Sequence, residues 1–296
     1  MLTLIKDISK KFKPWGFEGL SVYDVTIFFW KGLMEGAITT RASSLAFNFF
    51  LAFFPAIIFL FTLIPYIPIE GFQETLIDLL ASILPPSTNE ITTKTIDDIV
   101  KNPRGGLLSL GFVLALYFAT NGVNSLIEAF NSSFHIRESR SLLYQKYLSL
   151  VITLILTIML ILTISLLIIG KGYLEHLLSI EVISQKNLHW YSLSRLILLG
   201  LMLFFGVSLL FHLAPAKRKK WRTFTPGTIF STIFIIITSL LFSYYINNFS
   251  QYNQIYGSIG TLIIILLWIY FNAIILLTGF ELNVSILNAS KNKEKL

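Results

Sequence analysis

The sequence predicts an all-α integral membrane protein: a six-transmembrane-helix bundle with an N-terminal interfacial helix and a short helical external cap. The first observation is composition, since 54% of the 296 residues are hydrophobic and only 13% are charged, whereas soluble domains have about 25% charged residues. The second is that the apolar residues fall in runs long enough to cross a bilayer. The third is the uneven distribution of Lys and Arg between these runs.

Six stretches contain no Asp, Glu, Lys or Arg and have close to the roughly 20 helical residues, or more, that a hydrocarbon core about 30 Å thick requires. They are Ser44–Ile67, Leu107–Ile127, Leu148–Ile169, Leu196–Leu213, Phe224–Ile246 and Ile255–Phe280. Strands of a membrane barrel would be shorter and would alternate apolar with polar residues. The runs therefore predict helices.

The distribution of basic residues predicts the orientation of the chain. With the N-terminus inside, the cytoplasmic segments hold 17 of the 23 Lys and Arg residues and the outer segments hold 6. The positive-inside rule favours this arrangement, with both termini in the cytoplasm. We therefore expect a cytoplasmic amphipathic segment at residues 1–43, a six-helix membrane domain at 44–289 with an external helical loop at 68–106, and a cytoplasmic tail at 290–296.

A helix is predicted before the first span. Ser21 followed by Asp24 resembles a capping box, and the apolar residues that follow recur at helical spacing, which predicts a helix over Ser21–Thr39. Trp30 and Lys31 suit the inner membrane surface. A helix packed beneath the bundle without lipid contact explains the pattern equally well.

Two outer connections carry weaker signals. In the loop at 68–106, apolar residues recur at helical spacing until Pro85, and a second short helix is expected at Asn89–Val100. The uncharged polar stretch Asn247–Gln254 predicts either a lid at the outer interface or a tight hairpin.

Polar residues inside the membrane are the main functional candidates, because an unpaired polar group is costly there. The second span and its extension carry a stripe at alternating separations of three and four residues, which puts its members on one helix face: Asn121, Asn124, Glu128, Asn131 and His135. The stripe has two interpretations. It is either a hydrogen-bonding seam between helices or the lining of a substrate path, and in both cases Asn121, Asn124 and Glu128 are expected to point inward.

Charged residues at the ends of the spans form a second candidate site. Arg41 precedes the first span with Asn48 two turns further on, and Glu281 follows the last span. The predicted orientation brings Arg41, Glu128 and Glu281 to one membrane face, where an ion pair or triad would be either architectural or a gate. Pro55 lies within the first span and predicts a helix kink.

Other classes of chemistry find little support. Cysteine is absent and the four histidines are scattered, so no metal site and no cofactor are predicted. Phosphate-binding loops and serine-hydrolase elbows are also missing, and we expect no enzymatic activity. One basic cluster is explained by headgroup contact and positive-inside topology, without a nucleic-acid partner: Lys217, Arg218, Lys219, Lys220 and Arg222.

Four segments of the sequence follow the pattern of a known family. They are RASSLAFNFFLAFFP at 41–55, GGLLSLGFVLAL at 105–116 followed by Asn121 and Glu128, Trp221 and Arg222 before Pro226 and Gly227, and YGSIGTLIIILLWIYFNAIILLTGFELN at 256–283. Over residues 20–287 the chain resembles the YihY/BrkB family. The last segment is the most specific, through Tyr256, Gly257, Ser258, Gly260, Trp268, Gly279, Glu281 and Asn283. Phe280 departs from the pattern, because an alanine is common there.

The resemblance implies a multi-pass protein of the bacterial cytoplasmic membrane with six helices. Members of the family have been labelled ribonuclease BN or virulence factors linked to serum resistance, and a role in moving lipid or lipid-linked envelope material has been suggested. Metal-dependent RNA hydrolysis needs a cluster of His and Asp ligands. No such cluster is evident in the sequence, and we therefore reject the ribonuclease interpretation.

The polar stripe beside a kinked helix, with basic residues at the cytoplasmic side, predicts a transporter or flippase-like translocator of a lipid or amphipathic anionic molecule. Two alternatives stay open. One is a structural or assembly factor for the cell envelope, and the other is an oligomeric pore lined by Asn121 and Asn124. The partners expected are membrane lipids, together with either further copies of the chain or envelope-assembly proteins.

Overall fold

Seven α-helices make up the described part of the chain. The structure is a computed structural model that describes residues 14, 16–17, 19–35, 37–66, 103–133, 140–179, 188–216, 223–248 and 251–293. In chain order the helices are α1 (Val22–Glu35), α2 (Ile38–Leu63), α3 (Gly105–Ser133), α4 (Leu142–Ser179), α5 (Leu188–Leu213), α6 (Pro226–Asn248) and α7 (Gln251–Lys293). A short 3-10 helix, Ile64–Tyr66, follows α2, and the described ranges contain no strand.

Six of these helices, α2 to α7, are long and apolar enough to cross a membrane by length and composition. Their candidate spans contain between 20 residues, in α6, and 29 residues, in α3 and α7. Each span overlaps one of the six charge-free runs. The all-α membrane class with six spans is therefore confirmed.

Helices α4 and α7 extend further than the runs that predicted them. Helix α4 has 38 residues, or about 57 Å, which exceeds a hydrocarbon core of about 30 Å. Helix α7 continues to Lys293, so the segment predicted as a tail is helical at 290–293. Val284, Ile286 and Ala289 are buried along this extension. Contacts within the protein thus maintain the helix beyond the apolar span.

Helix α1 begins as the sequence predicts and ends earlier. Ser21 Oγ accepts a hydrogen bond from the Asp24 backbone N–H (3.2 Å) and donates one to Asp24 Oδ2 (2.6 Å), which caps the helix. The helix stops at Glu35 rather than at Thr39, because Ala37 has a positive φ of 44° and α2 starts at the next residue. The prediction of one helix to Thr39 is therefore wrong.

The two long faces of α1 have different surroundings. One face is buried against α7, in a cluster that contains Leu20, Val25, Ile286 and Ala289. The other face is apolar and exposed, with Ile27, Trp30 and Met34 at 50%, 63% and 72%. Such a face suits a membrane interface, and its contact with lipid stays a prediction.

The connection between α6 and α7 is shorter than the predicted loop. Helix α6 ends at Asn248 and α7 begins at Gln251, so most of the stretch Asn247–Gln254 is helical. This favours the hairpin over an extended lid. The predicted outer helices lie outside the described residues, since only 103–106 of the loop at 68–106 are described.

The chain divides into two compact units, residues 48–122 and residues 1–47 with 123–296. In the smaller unit, α2 and α3 approach closely at glycines. A Cβ atom at Gly111 would lie 3.0 Å from the Phe59 backbone nitrogen, and one at Gly122 would lie 3.0 Å from the Phe49 ring. Residues of this size at helix contacts let backbones approach each other in membrane proteins.

The larger unit contains the remaining helices. Helix α7 packs against α6 and α1, and α5 packs against α6 and α4. An aromatic cluster joins α3, α5 and α7, in which Phe130 stacks on Phe280 with ring centroids 4.1 Å apart and Phe211 contacts both rings. Phe280, the departure from the family pattern, is therefore a core residue with 2% exposure.

Candidate functional site

Arg41 joins the start of α2 to the end of α3 in the larger unit. Its Nη1 donates hydrogen bonds to the backbone oxygen of Ala129 (2.7 Å) and to Ser133 Oγ (2.8 Å). Both acceptors lie in the last two turns of α3, where the helix dipole favours a cation. Only 12% of the Arg41 side chain is exposed, so this bridge lies within the protein.

Glu281 of α7 is the acidic partner of Arg41. Arg41 Nη2 and Glu281 Oε2 are 4.0 Å apart, and the Glu281 side chain is 4% exposed. The backbone of α1 passes beside the same carboxylate at Gly32. A Cβ atom at this position would collide with Glu281 Oε1. A buried carboxylate thus lies where α1, α2 and α7 meet, and a charge buried to this degree depends on its partner.

A second polar site connects α3 and α4. Asn124 Nδ2 donates to Glu128 Oε1 (2.8 Å), and Gln145 Nε2 donates to the same oxygen (3.4 Å). Ser149 Oγ donates to Asn124 Oδ1 (3.5 Å). We call these four side chains the amide network: Asn124, Glu128, Gln145 and Ser149. It hydrogen-bonds two candidate spans to each other, as polar residues often do in membrane proteins.

Glu128 combines exposure with a contact to the neighbouring helix. Its side chain is exposed, yet Gln145 of α4 donates to it, so its orientation toward other helices or a cavity stays a prediction. Within the described part of the chain Arg41 forms its ion pair with Glu281 and none with Glu128, so of the predicted pair or triad the structure contains the pair. Helical geometry explains this, because successive residues point about 100° apart, and Arg41 contacts the face of Ala129 and Ser133.

The α4 half of the amide network was absent from the sequence prediction, although a signal for it exists. Gln145, Ser149, Thr153 and Thr157 are separated by four residues each, which places them on one helix face. The first three are buried, and each hydroxyl donates to the backbone oxygen four residues earlier. A polar stripe on an apolar helix therefore indicated a buried contact.

Asn131, the next member of the predicted stripe, has a different partner. It is 3% exposed, and its Oδ1 accepts a hydrogen bond from the backbone N–H of Ala216 (2.8 Å). This bond holds the residues that follow α5 against α3. The stripe thus divides between an exposed carboxylate at Glu128 and a buried amide at Asn131.

Residues of the family pattern fasten α6 to α7. Asn283 Oδ1 accepts a hydrogen bond from the backbone N–H of Gly227 (2.9 Å), and Asn283 Nδ2 donates one to Thr225 Oγ1 (2.9 Å). These bonds satisfy groups at the α6 N-terminus, which would otherwise lack partners. Gly279 faces Gly227 and Ser231 so closely that a Cβ atom at Gly279 or Gly227 would collide with the opposite helix. In this part of the family pattern, the residues therefore hold α6 against α7.

The other predicted site residues are more dispersed. In the smaller unit, Asn48 and Asn121 are half-buried, while Pro55 is buried within a continuous α2. Trp268 is 40% exposed and Gly260 is buried. Tyr256, Gly257 and Ser258 belong to the first turns of α7. The basic residues Lys217, Arg218, Lys219, Lys220 and Arg222, and also His135, lie outside the described residues. Their predicted roles stay predictions.

No group of three or more His, Cys, Asp or Glu side chains that could hold a metal ion occurs among the residues that the structure describes. The polar groups present are instead carboxylates, amides and hydroxyls that bond to one another and to Arg41. This set can bind a polar or charged group by hydrogen bonds and ion pairing.

The spans, the buried ion pair and the amide network define a multi-pass helical membrane protein. The chain belongs to the virulence factor BrkB family, whose model matches residues 29–296. It is 30% identical over 244 residues to YfkH of Bacillus subtilis (strain 168), named as ribonuclease-like, covering 82% of this chain and 88% of that protein.

Two further relatives are UPF0761 membrane proteins. That of Haemophilus influenzae (strain 86-028NP) is 26% identical, with 89% of this chain and 95% of the relative covered. That of Alteromonas mediterranea is 26% identical, with 92% and 90% covered. No solved structure matches the chain. The relatives place the protein in a bacterial family of multi-pass membrane proteins.

Proposed function

We propose that the protein is a translocator that moves a lipid or an amphipathic anionic molecule across the bacterial cytoplasmic membrane. The observation that carries the proposal is the amide network, which lies within candidate spans and extends from buried Ser149 to exposed Glu128. Polar groups in spans commonly mark the path of a substrate. A network that reaches the surface gives a polar headgroup a place to enter.

The buried ion pair is the proposed gate. It joins α2 and α7 beside α1, and its charged atoms are 4.0 Å apart, which is beyond the usual hydrogen-bond distance. Movement of α1 or α7 would open or close this contact. In a purely architectural pair, Glu281→Gln would lower stability and flux together, whereas in a gate the protein would stay folded while flux changes.

Reconstitution in liposomes tests the proposal. Movement of a panel of labelled lipids and small anions would be measured for the wild type, for Glu128→Leu and for Ser132→Ala, with protein-free liposomes as the baseline. Ser132 is an exposed residue of the same helix and serves as the matched control. We expect flux in the wild type and the control and its loss in Glu128→Leu.

Absence of flux above the baseline for every compound, with folded protein in the liposomes, would contradict the proposal. It would favour a structural or assembly role in the envelope. Flux of all small anions without selectivity would favour an oligomeric pore instead.

The proposal includes the orientation, with both termini in the cytoplasm, which the distribution of Lys and Arg supports. Reporters at Lys295 and Lys219 should then share a compartment, and a reporter at Glu90 should lie in the other. Equal labelling of Glu90 and Lys295 from outside intact cells would contradict this orientation.

A further inference from the structure

Glu128 combines two properties that are seldom found together in a span. Its side chain is exposed, yet its Oε1 is held by amide donors from two helices, Asn124 and Gln145. Gln145 is 5% exposed, and Ser149, which holds Asn124, is fully buried. The exposed carboxylate is therefore held by side chains that are themselves buried or held by buried residues. This restricts its conformations before a ligand binds.

Glu128 directly follows the charge-free run Leu107–Ile127, which favours a location near the boundary between acyl chains and headgroups. It lies five residues before the end of α3, at Ser133, and Gln145 lies three residues after the start of α4, at Leu142. Five helical residues extend about 7.5 Å, which is comparable to the headgroup layer on one side of a bilayer. At this depth the Glu128 side chain would face membrane lipids.

The charge of the site limits the chemistry of its ligand. An ionised carboxylate only accepts hydrogen bonds, and no described residue donates to Glu128 Oε2. Arg41 forms its ion pair with Glu281 and no ion pair with Glu128 among the described residues. A group that complements Glu128 is therefore a cation with N–H donors, because charge-assisted hydrogen bonds are the stronger kind.

We propose that Glu128, held by Asn124 and Gln145, binds the ammonium group of a phospholipid headgroup. The lipid is zwitterionic, with a phosphate and an amine, and the amine is the group that Glu128 selects. The inference rests on the proposed function only in treating this lipid as the molecule that is moved. Binding itself does not require movement.

The selectivity of the purified protein for one lipid over others tests this proposal. The full-length protein would be purified with an equimolar mixture of phosphatidylethanolamine, phosphatidylcholine and phosphatidylglycerol of identical acyl chains, and the retained lipids would be counted by native mass spectrometry. We expect retention of phosphatidylethanolamine over both others, since phosphatidylcholine has a cation without N–H donors and phosphatidylglycerol has no cation. Glu128→Gln should lower this preference about tenfold.

Two variants separate the ligand from the fold. Glu128→Asp keeps the charge and should retain most of the preference, while Ser132→Ala should leave it unchanged. Soluble ethanolamine should compete with the lipid if the amine alone is recognised, and should not compete if the bilayer-bound headgroup is required. If Glu128→Gln does not fold, the wild-type order of the three lipids decides the question.

Equal retention of the three lipids, preference for phosphatidylglycerol, or an unchanged preference in folded Glu128→Gln would overturn the inference. The liposome assay keeps the two proposals apart. Selective binding without flux would leave the inference standing and refute the translocator, whereas flux with equal retention of the three lipids would support the translocator and refute the inference.

Discussion

Glu281 and Glu128 are two carboxylates of the larger unit with opposite surroundings. Glu281 is 3% exposed, lies against Gly32 and pairs with Arg41. Glu128 is exposed and is held by neutral amides alone among the described residues. A buried charge requires an opposite charge, because desolvation is costly, whereas an exposed carboxylate can be held by neutral donors.

The difference indicates that the two sites have different roles. The Glu281 site connects helices, so loss of its cation should lower the free energy of unfolding, while neutralisation by Glu281→Gln distinguishes an architectural pair from the proposed gate. The Glu128 site presents a charge to the surroundings, so its loss should be expressed mainly in ligand selectivity. Four substitutions, all measured as unfolding free energy in the same detergent, can break or sharpen this contrast.

Arg41→Ala should have the largest effect. It removes the hydrogen bonds to Ala129 and Ser133 and leaves Glu281 buried without its cation. Breaking a buried pair in this way costs roughly 3–5 kcal/mol. Arg195→Ala, at an exposed residue of α5, is the control. A loss below about 1 kcal/mol would mean that the pair contributes little to the fold.

Gly32→Ala should be the next most harmful change. The added Cβ atom meets Glu281 Oε1, so either the Glu281 side chain or α1 must shift, and overpacking of this kind costs about 1–3 kcal/mol. Gly200→Ala is the matched control, because its Cβ atom would have only Ile236 Cδ1 nearby, at 3.8 Å. Equal stability of the two variants would show that α1 adapts without cost.

Asn283→Ala should have a moderate effect on the helix that carries Glu281. It removes one acceptor for the Gly227 N–H and one donor to Thr225 Oγ1, which corresponds to about 1 kcal/mol for each bond. Asn288→Ala, at an exposed residue of α7, should be close to neutral. Identical unfolding curves for both variants would exclude a role of Asn283 in fastening α6 to α7.

Glu128→Gln should have the smallest effect on stability. An amide keeps the shape of the carboxylate and can still accept from Asn124, so we expect a change within about 0.5 kcal/mol, as for surface substitutions. A loss larger than about 2 kcal/mol would place Glu128 with Glu281 as a structural residue. The comparison between the two carboxylates would then fail.

Much of the architecture could be predicted from the sequence because bilayer physics acts on local stretches. Six charge-free runs overlap the six candidate spans, and the Ser21–Asp24 spacing located the start of α1. The site was predicted only in part. Arg41 and Glu281 were named as possible partners. Gln145 and Ser149 were missed although their four-residue spacing with Thr153 and Thr157 marks one polar face of α4. Gly32 was missed because nothing in its own sequence surroundings distinguishes it.

The sequence by itself determined which segments are helical and which residues share a helix face, since both follow from composition and from the helical period. It did not determine which face points toward which neighbour. The tertiary structure decided that Arg41 pairs with Glu281, that Asn131 is buried and that Glu128 is exposed. The physical reason is that these outcomes depend on contacts between helices distant in sequence, and periodicity carries no information about those neighbours.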